Sequence, residues 1–231
     1  MSTSITNPHE GLHQMSPAHS PAETVATELR RIVSAINEAY PTLCDPFDPD
    51  WRSPCETGEP RPAADSGSGS GSYSGLEVPW RPLARQASAA DFLFEPLERA
   101  LERKVHDDIK TYYASFYSGG LEADSADGPV SLLQLWNDAD TERLIENLLG
   151  HFLAQTRSKS PFSVFFALTE VDSEMFLTVE NNTGHVLLER PGYRPVRTVA
   201  NSLAEFLAGL RPAPPERHPE RAAFLRAHGL N

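Results

Sequence analysis

No run of about 18 apolar residues occurs anywhere in the chain, so a membrane-spanning helix is excluded. The first 21 residues are polar, carry His, Ser and Pro, and hold no apolar segment of the kind an export signal needs. Cysteine is nearly absent. Cys44 and Cys55 are the only two and form no CxxC pair, and without an export signal they read as reduced thiols. Lys and Arg are scarce, at 20 against 32 Asp and Glu, for a formal charge of −12. That balance speaks against nucleic acid, whose phosphates are bound by basic side chains, and against direct adhesion to an anionic lipid surface.

The motifs of chemistry are missing as well. There is no HExxH, no Cys/His spacing suited to zinc and no GxSxG elbow. The Ser/Gly tract from Ser66 to Gly75 is not followed by Lys-Ser/Thr and reads as a flexible linker, not a phosphate cradle. Of the eight histidines, His9, His13, His19, His218 and His228 lie in terminal segments, His106 sits on a helix, and His151 beside a buried helix face reads as structural. Carboxylates are so numerous that close pairs arise by chance and carry no catalytic signal. The expectation is a protein without enzymatic activity, cofactor or metal. A buried, pKa-shifted polar pair in a deep pocket would be the sign of a hydrolase instead.

What is present is a core: 39% of residues are hydrophobic in a chain of 231, enough for one ordinary domain. Val25, Leu29, Ile32, Val33 and Ile36 recur at helical steps from about Ala22 to Tyr40, and Pro41 ends that helix. Leu76 to Pro82 reads as an edge strand because of Pro79 and Pro82. A helix starting within residues 91–96 carries one stripe, Leu93, Leu97, Leu101, Val105, Ile109, Tyr112, Tyr113 and Phe116, up to Gly119-Gly120. Val130 to Trp136 reads as a buried strand. Asn137 caps the helix after it, whose buried face is Leu144, Ile145, Leu148, Leu149, Phe152 and Leu153, leaving Glu146 outward.

Ser163–Thr169, Met175–Glu180 and His185–Arg190 follow as an antiparallel meander, with hairpin chemistry at Asn181-Asn182-Thr183-Gly184. Val196 to Ala200 is extended, and Asn201 or Ser202 caps a last helix with Leu203, Phe206, Leu207 and Leu210. A short helix is expected near residues 221–228. This order predicts a single α+β domain, a mixed, largely antiparallel sheet flanked by helices. The expected organisation is a disordered extension over 1–21, the domain over 22–211 with a flexible loop at 56–75, and a C-terminal extension over 212–231.

Several stretches resemble the Syd family of SecY-interacting proteins. They are Leu132-Leu133-Gln134-Leu135-Trp136, an acidic spacer and then Glu146-Asn147-Leu148-Leu149-Gly150-His151, followed by Asn201-Ser202-Leu203-Ala204-Glu205-Phe206-Leu207. Ser53-Pro54-Cys55 and Trp80-Arg81-Pro82 are weaker echoes. The resemblance covers about residues 22–211. It implies a small α+β fold related to the SUKH superfamily and a peripheral place on the cytoplasmic face of the bacterial inner membrane. It also implies binding to SecY through a concave acidic surface, sensing or restraining improperly assembled translocon. The terminal extensions and the long Ser/Gly loop depart from the family pattern.

Physical logic runs parallel. Cytosolic loops of polytopic membrane proteins are rich in Lys and Arg, and an acidic surface complements them. Residues 91–190 hold 18 Asp and Glu against 8 Lys and Arg, a balance of −10, so the acidity belongs to the folded part and not to the tails. A solvated acidic face also exists without any partner. The candidate contact residues are Asp138, Asp140, Glu142 and Glu146 around the central helix, with Glu170, Asp172 and Glu174 at the first meander turn. Helix capping competes as the role of Asp138 and Asp140. Trp80 and Trp136 read as packing residues or as anchors in the groove. The alternative biology is a SUKH-type immunity module that neutralises a basic toxin, and a monomer is the expected state.

Overall fold

The computed structural model describes residues 21–63, 75–86, 92–170 and 173–215. The expectations for residues 1–20, for most of the Ser/Gly tract, for Asp172, and for a helix near 221–228 therefore lie outside the described residues.

Helix α1 (Pro21–Ala39) forms where the three- and four-residue spacing foretells it, and Val25, Leu29, Ile32, Val33 and Ile36 are all buried. Burying each such side chain contributes about 1.5–3 kcal/mol, so this one face is a large share of the core. It packs against α3 (Asp107–Ser115) and α5 (Leu203–Ala208). The cap of α5 is a reciprocal box: Ser202 Oγ accepts the Glu205 N–H at 3.1 Å, and Glu205 Oε2 accepts the Asn201 N–H at 2.9 Å.

The main sheet has seven strands: β6 (Leu121–Ser125), β7 (Gly128–Leu132), β8 (Ser163–Leu168), β9 (Phe176–Glu180), β10 (Val186–Glu189), β11 (Arg197–Ala200) and β12 (Arg211–Pro212). Their spatial order is β11-β10-β9-β8-β7-β6-β12, and every ladder is antiparallel. Strands β6 to β11 thus follow one another in space as in sequence, with α4 (Ala139–Ser158) inserted between the neighbours β7 and β8. Phe165 and Phe166 point to opposite sides. Phe166 stacks edge-on with Tyr112 of α3 and Phe206 of α5, while Phe165 meets His151 of α4. Helices therefore cover both faces of the sheet, an α+β domain as the element order implied.

Three details differ from the sequence reading. The long amphipathic stripe is divided into α2 (Glu95–Leu101) and α3 by a left-handed residue, Glu102, at φ 50°. The buried Glu98 carboxylate fastens the break, accepting the Val105 N–H at 2.9 Å and pairing with Lys104 at 2.7 Å and Lys110 at 2.5 Å. His106 then caps α3, its Nδ1 accepting the Asp108 N–H. The apolar spacing survives because the break falls on polar positions. Second, β6 was not foreseen: Leu-Glu-Ala-Asp-Ser is too polar and too poor in β-branched residues to signal a strand.

Third, β3 (Leu76–Trp80) is the middle strand of a three-stranded sheet between β1 (Leu43–Pro46) and β2 (Arg61–Pro62), not an edge. Pro79 is tolerated there because β2 has already ended alongside it. Its carbonyl takes the Thr57 N–H at 2.8 Å. A two-residue pair, β4 (Leu83–Ala84) with β5 (Phe116–Tyr117), ties this sheet's exit to the end of α3.

Candidate partner-binding surface

Side chains of Asn137 and Asp140 form the N-terminus of α4. Asn137 Oδ1 accepts the Asp140 N–H at 3.1 Å, and Asp140 Oδ2 reaches back to the Trp136 N–H at 2.8 Å. Burial raises the Asp140 carboxyl above its ordinary range, and the Trp136 amide and Arg143 offset this only in part. Asp140 is therefore occupied within the cap. Asp138 stands 84% exposed, accepts the hydroxyl of Tyr117, and lies 3.7 Å from Arg85. Glu142 and Glu146 are exposed on the same helix, and Leu144 and Leu148 are buried beneath it, with Ile145, Leu149 and Phe152 half-buried; Leu153, expected inside, is 55% exposed.

The second group sits at the turn between β8 and β9. Glu170 is exposed beside Gly128, and Glu174 is exposed and paired with Arg190 at 2.9 Å. Asp172, between them, lies outside the described residues. Glu170 rims a groove of about 240 Å³ with Asp127 and Arg197, an ion pair at 2.9 Å, over a floor that includes Val130, Leu177 and Phe206. Among the described residues no hydrogen bond or ion pair joins the α4 acids to those of this turn.

The sequence reading passed over a third contributor, the Pro-rich segment 47–57. It is clamped to the start of α4: Trp136 Nε1 donates to the Trp51 carbonyl at 2.8 Å, Asn137 Nδ2 to the Arg52 carbonyl at 2.8 Å, and Ser53 Oγ to the Trp136 carbonyl. Arg143 lies over the Trp51 ring at 5.0 Å. Asp48 and Asp50 are exposed on the same clamped segment. The Asp-Pro-Asp-Trp string was the available signal, but proline-rich polar sequence resembles linker until a partner surface is known. Trp136 and Trp80 meet edge to face at 5.8 Å, which makes Trp80 a packing residue at the base of this clamp.

A different polar cluster lies beneath α4. The Glu189 carboxylate is buried and accepts Ser163 Oγ at 2.6 Å and Thr178 Oγ1 at 2.8 Å, with Gln155 Nε2 at 3.4 Å and His151 Nε2 at 3.7 Å. Burial lowers the His151 pKa, which the Glu189 charge opposes. Serine, histidine and carboxylate are all here, yet Ser163 is wholly covered, so its hydroxyl serves the network and meets no substrate in this conformation. Among the described residues no three His, Cys, Asp or Glu side chains gather to hold a metal ion. Cys55 is buried and its thiol is pushed up to about 12 by burial, while Cys44 is raised in the same way. No helix among the described residues is long and apolar enough to cross a membrane.

These features define a single α+β domain with an antiparallel sheet sandwiched by helices, whose buried polar groups hold the fold together and whose acids gather at the surface. Comparison with known proteins narrows the class. The family described as Syd protein (SUKH-2) matches residues 27–212, and the chain belongs to it. It is 36% identical over 195 residues to Protein Syd of Alteromonas mediterranea, covering 83% of this chain and 98% of that one. Protein Syd of Pseudoalteromonas atlantica is 35% identical over 166 residues, 72% of this chain and 82% of its own. Protein Syd of Colwellia psychrerythraea is 38% identical over 169 residues, 71% and 78% respectively.

Proposed function

We propose that this protein is a non-enzymatic binding module that docks on the basic cytosolic loops of SecY, the translocon channel subunit, and senses or restrains improperly assembled channel. It would do so as a monomer held peripherally at the cytoplasmic face of the inner membrane. The observation that carries this reading is the exposed set Asp138, Glu142 and Glu146 at the start of α4, inside the residues the Syd family matches, with Asp48 and Asp50 exposed on the clamped segment. Asp140 supports that end by holding the helix cap. Glu170, Asp172 and Glu174 are proposed as a second contact region.

Positive-inside loops supply the complementary charge. Attraction between exposed charges is screened beyond about 10 Å at 0.1 M salt, so affinity for SecYEG in proteoliposomes should fall steeply as salt rises. Reversing Glu142 and Glu146 together to Lys should abolish binding at low salt while leaving the thermal midpoint in place, and adding Asp138→Asn should not restore it. Salt-indifferent binding, or full binding by the reversed variant, sinks the reading. Binding to a basic toxin but not to SecYEG selects the immunity alternative.

A further inference from the structure

Four strands of the main sheet present apolar side chains to the groove of about 240 Å³: Val130 on β7, Leu177 on β9, Leu188 on β10 and Val199 on β11. Phe206 of α5 lies beside them. Val130, Leu177 and Phe206 are buried, whereas Leu188, Val199 and Met175 are only half-buried. An apolar floor is therefore left partly uncovered.

The rim is polar, but its groups are mostly engaged within their own turns. Ser125 Oγ donates to the Gly128 carbonyl at 2.8 Å, and Thr169 Oγ1 to the Met175 carbonyl at 2.7 Å. Ser173 Oγ accepts the Met175 N–H at 3.0 Å. Asp127 and Arg197 pair at 2.9 Å, so their charges offset each other. Glu170 is different: it is exposed and joins no ion pair among the described residues. A Cβ on Gly128 would stand 3.7 Å from its Oε1, which places this carboxylate over the turn next to Asp127. The groove thus offers apolar area below and one unbalanced negative charge above.

We infer that this groove seats one bulky apolar side chain of a polypeptide segment whose flanking Lys or Arg meets Glu170. The inference rests on the reading above that the partner is basic, and adds that its contact segment carries an apolar anchor as well as charge. The size fits. An apolar cavity of about 150 Å³ is enough to take benzene, so a groove of about 240 Å³ takes a single ring or branched side chain and not a whole helix. Hydroxyls that are already engaged offer little to a phosphate or a sugar, and the rim carboxylate repels an acid. An acidic surface by itself accepts any basic segment, whereas a filled pocket discriminates among them and supplies much of the binding energy.

Fluorescence anisotropy of the full chain with a labelled short peptide tests the site, the peptide having one central phenylalanine between pairs of lysines. It should bind at least about tenfold more tightly than the same peptide with alanine at the centre. That ratio should persist as salt rises, because the anchor is apolar, while both affinities fall. Val199→Phe fills the groove and should bring the phenylalanine peptide down to the level of the alanine one; Glu170→Gln should weaken both. If Val199→Phe loses its fold by circular dichroism, methyl NMR of the wild type decides instead. The phenylalanine peptide should then move the Met175 and Val199 signals by its ring current, and the alanine peptide should not. Equal affinity for the two peptides, methyl signals that stay in place, or SecYEG binding undisturbed in folded Val199→Phe overturns the inference, while salt-sensitive SecYEG binding by the wild type keeps the reading it rests on. A located preference for phenylalanine without SecYEG binding does the reverse: it keeps the groove for another basic partner and overturns SecY.

Discussion

Trp136 donates its indole N–H to the backbone carbonyl of Trp51 at 2.8 Å, across 85 positions of sequence. That one bond, with those of Ser53 and Asn137, turns a proline-rich segment into a wall of the α4 end. Replacing Trp136 by Phe keeps much of the ring's packing and removes the donor. A loss of about 1 kcal/mol is expected, with faster amide exchange over residues 51–57 than elsewhere. Unchanged exchange in that segment would show that it is held by other contacts.

Glu98 is the rivet between α2 and α3. Burial by itself would raise its carboxyl, but the hydrogen bonds from Lys104, Lys110 and the Val105 amide outweigh burial and hold it down to about 2. A carboxyl lowered in the fold contributes stability that is complete above its ordinary value near 4.5 and is lost as pH falls toward 2. Glu98→Gln should cost about 1–3 kcal/mol in urea titrations at pH 7, and the difference from wild type should shrink below pH 4.

His151 titrates in the opposite part of the scale. Its pKa lies below the ordinary 6.5 because burial disfavours the imidazolium more than Glu189 favours it. The unfolded chain takes up the proton first, so this contribution is complete above 6.5 and is lost as pH falls through the lower folded value. Thermal midpoints between pH 7.5 and pH 5 should decline for wild type and decline less for His151→Gln. Equal slopes would place the histidine outside the linkage.

Gly119 is required by proximity. A Cβ there would lie 2.7 Å from Cζ2 of Trp80 and 2.8 Å from Oδ2 of Asp45. Gly119→Ala is expected to cost about 1–3 kcal/mol. Trp80→Phe removes the crowding ring, so the double variant should be less destabilised than the sum of the two single changes in a double-mutant cycle.

Elements governed by near neighbours were legible in the sequence. The buried face of α1, the Ser202–Glu205 box on α5 and the β8–β10 meander each depend on residues within a few positions of one another, where periodicity, capping and turn chemistry act. The acids of α4 were visible for the same reason. Their setting was not: Asp140 proved to be bound into the cap, and Asp138 to be shared between Tyr117 and Arg85.

What only the tertiary structure decided depends on partners far along the chain. The break at Glu102 rests on a carboxylate before it fastened by two lysines after it, and on Asn181, whose side chain bridges Lys104 and His106 from the distant hairpin. The central place of β3, the strand β6, the clamp of segment 47–57 and the unmet donor of Arg85 are likewise long-range. Sequence by itself determined α1, α4, α5, the meander, the acidity and the family resemblance, because those are local patterns or summed composition. The tertiary structure decided which of those acids are occupied and which stand free, because that depends on groups that become neighbours only when the chain folds.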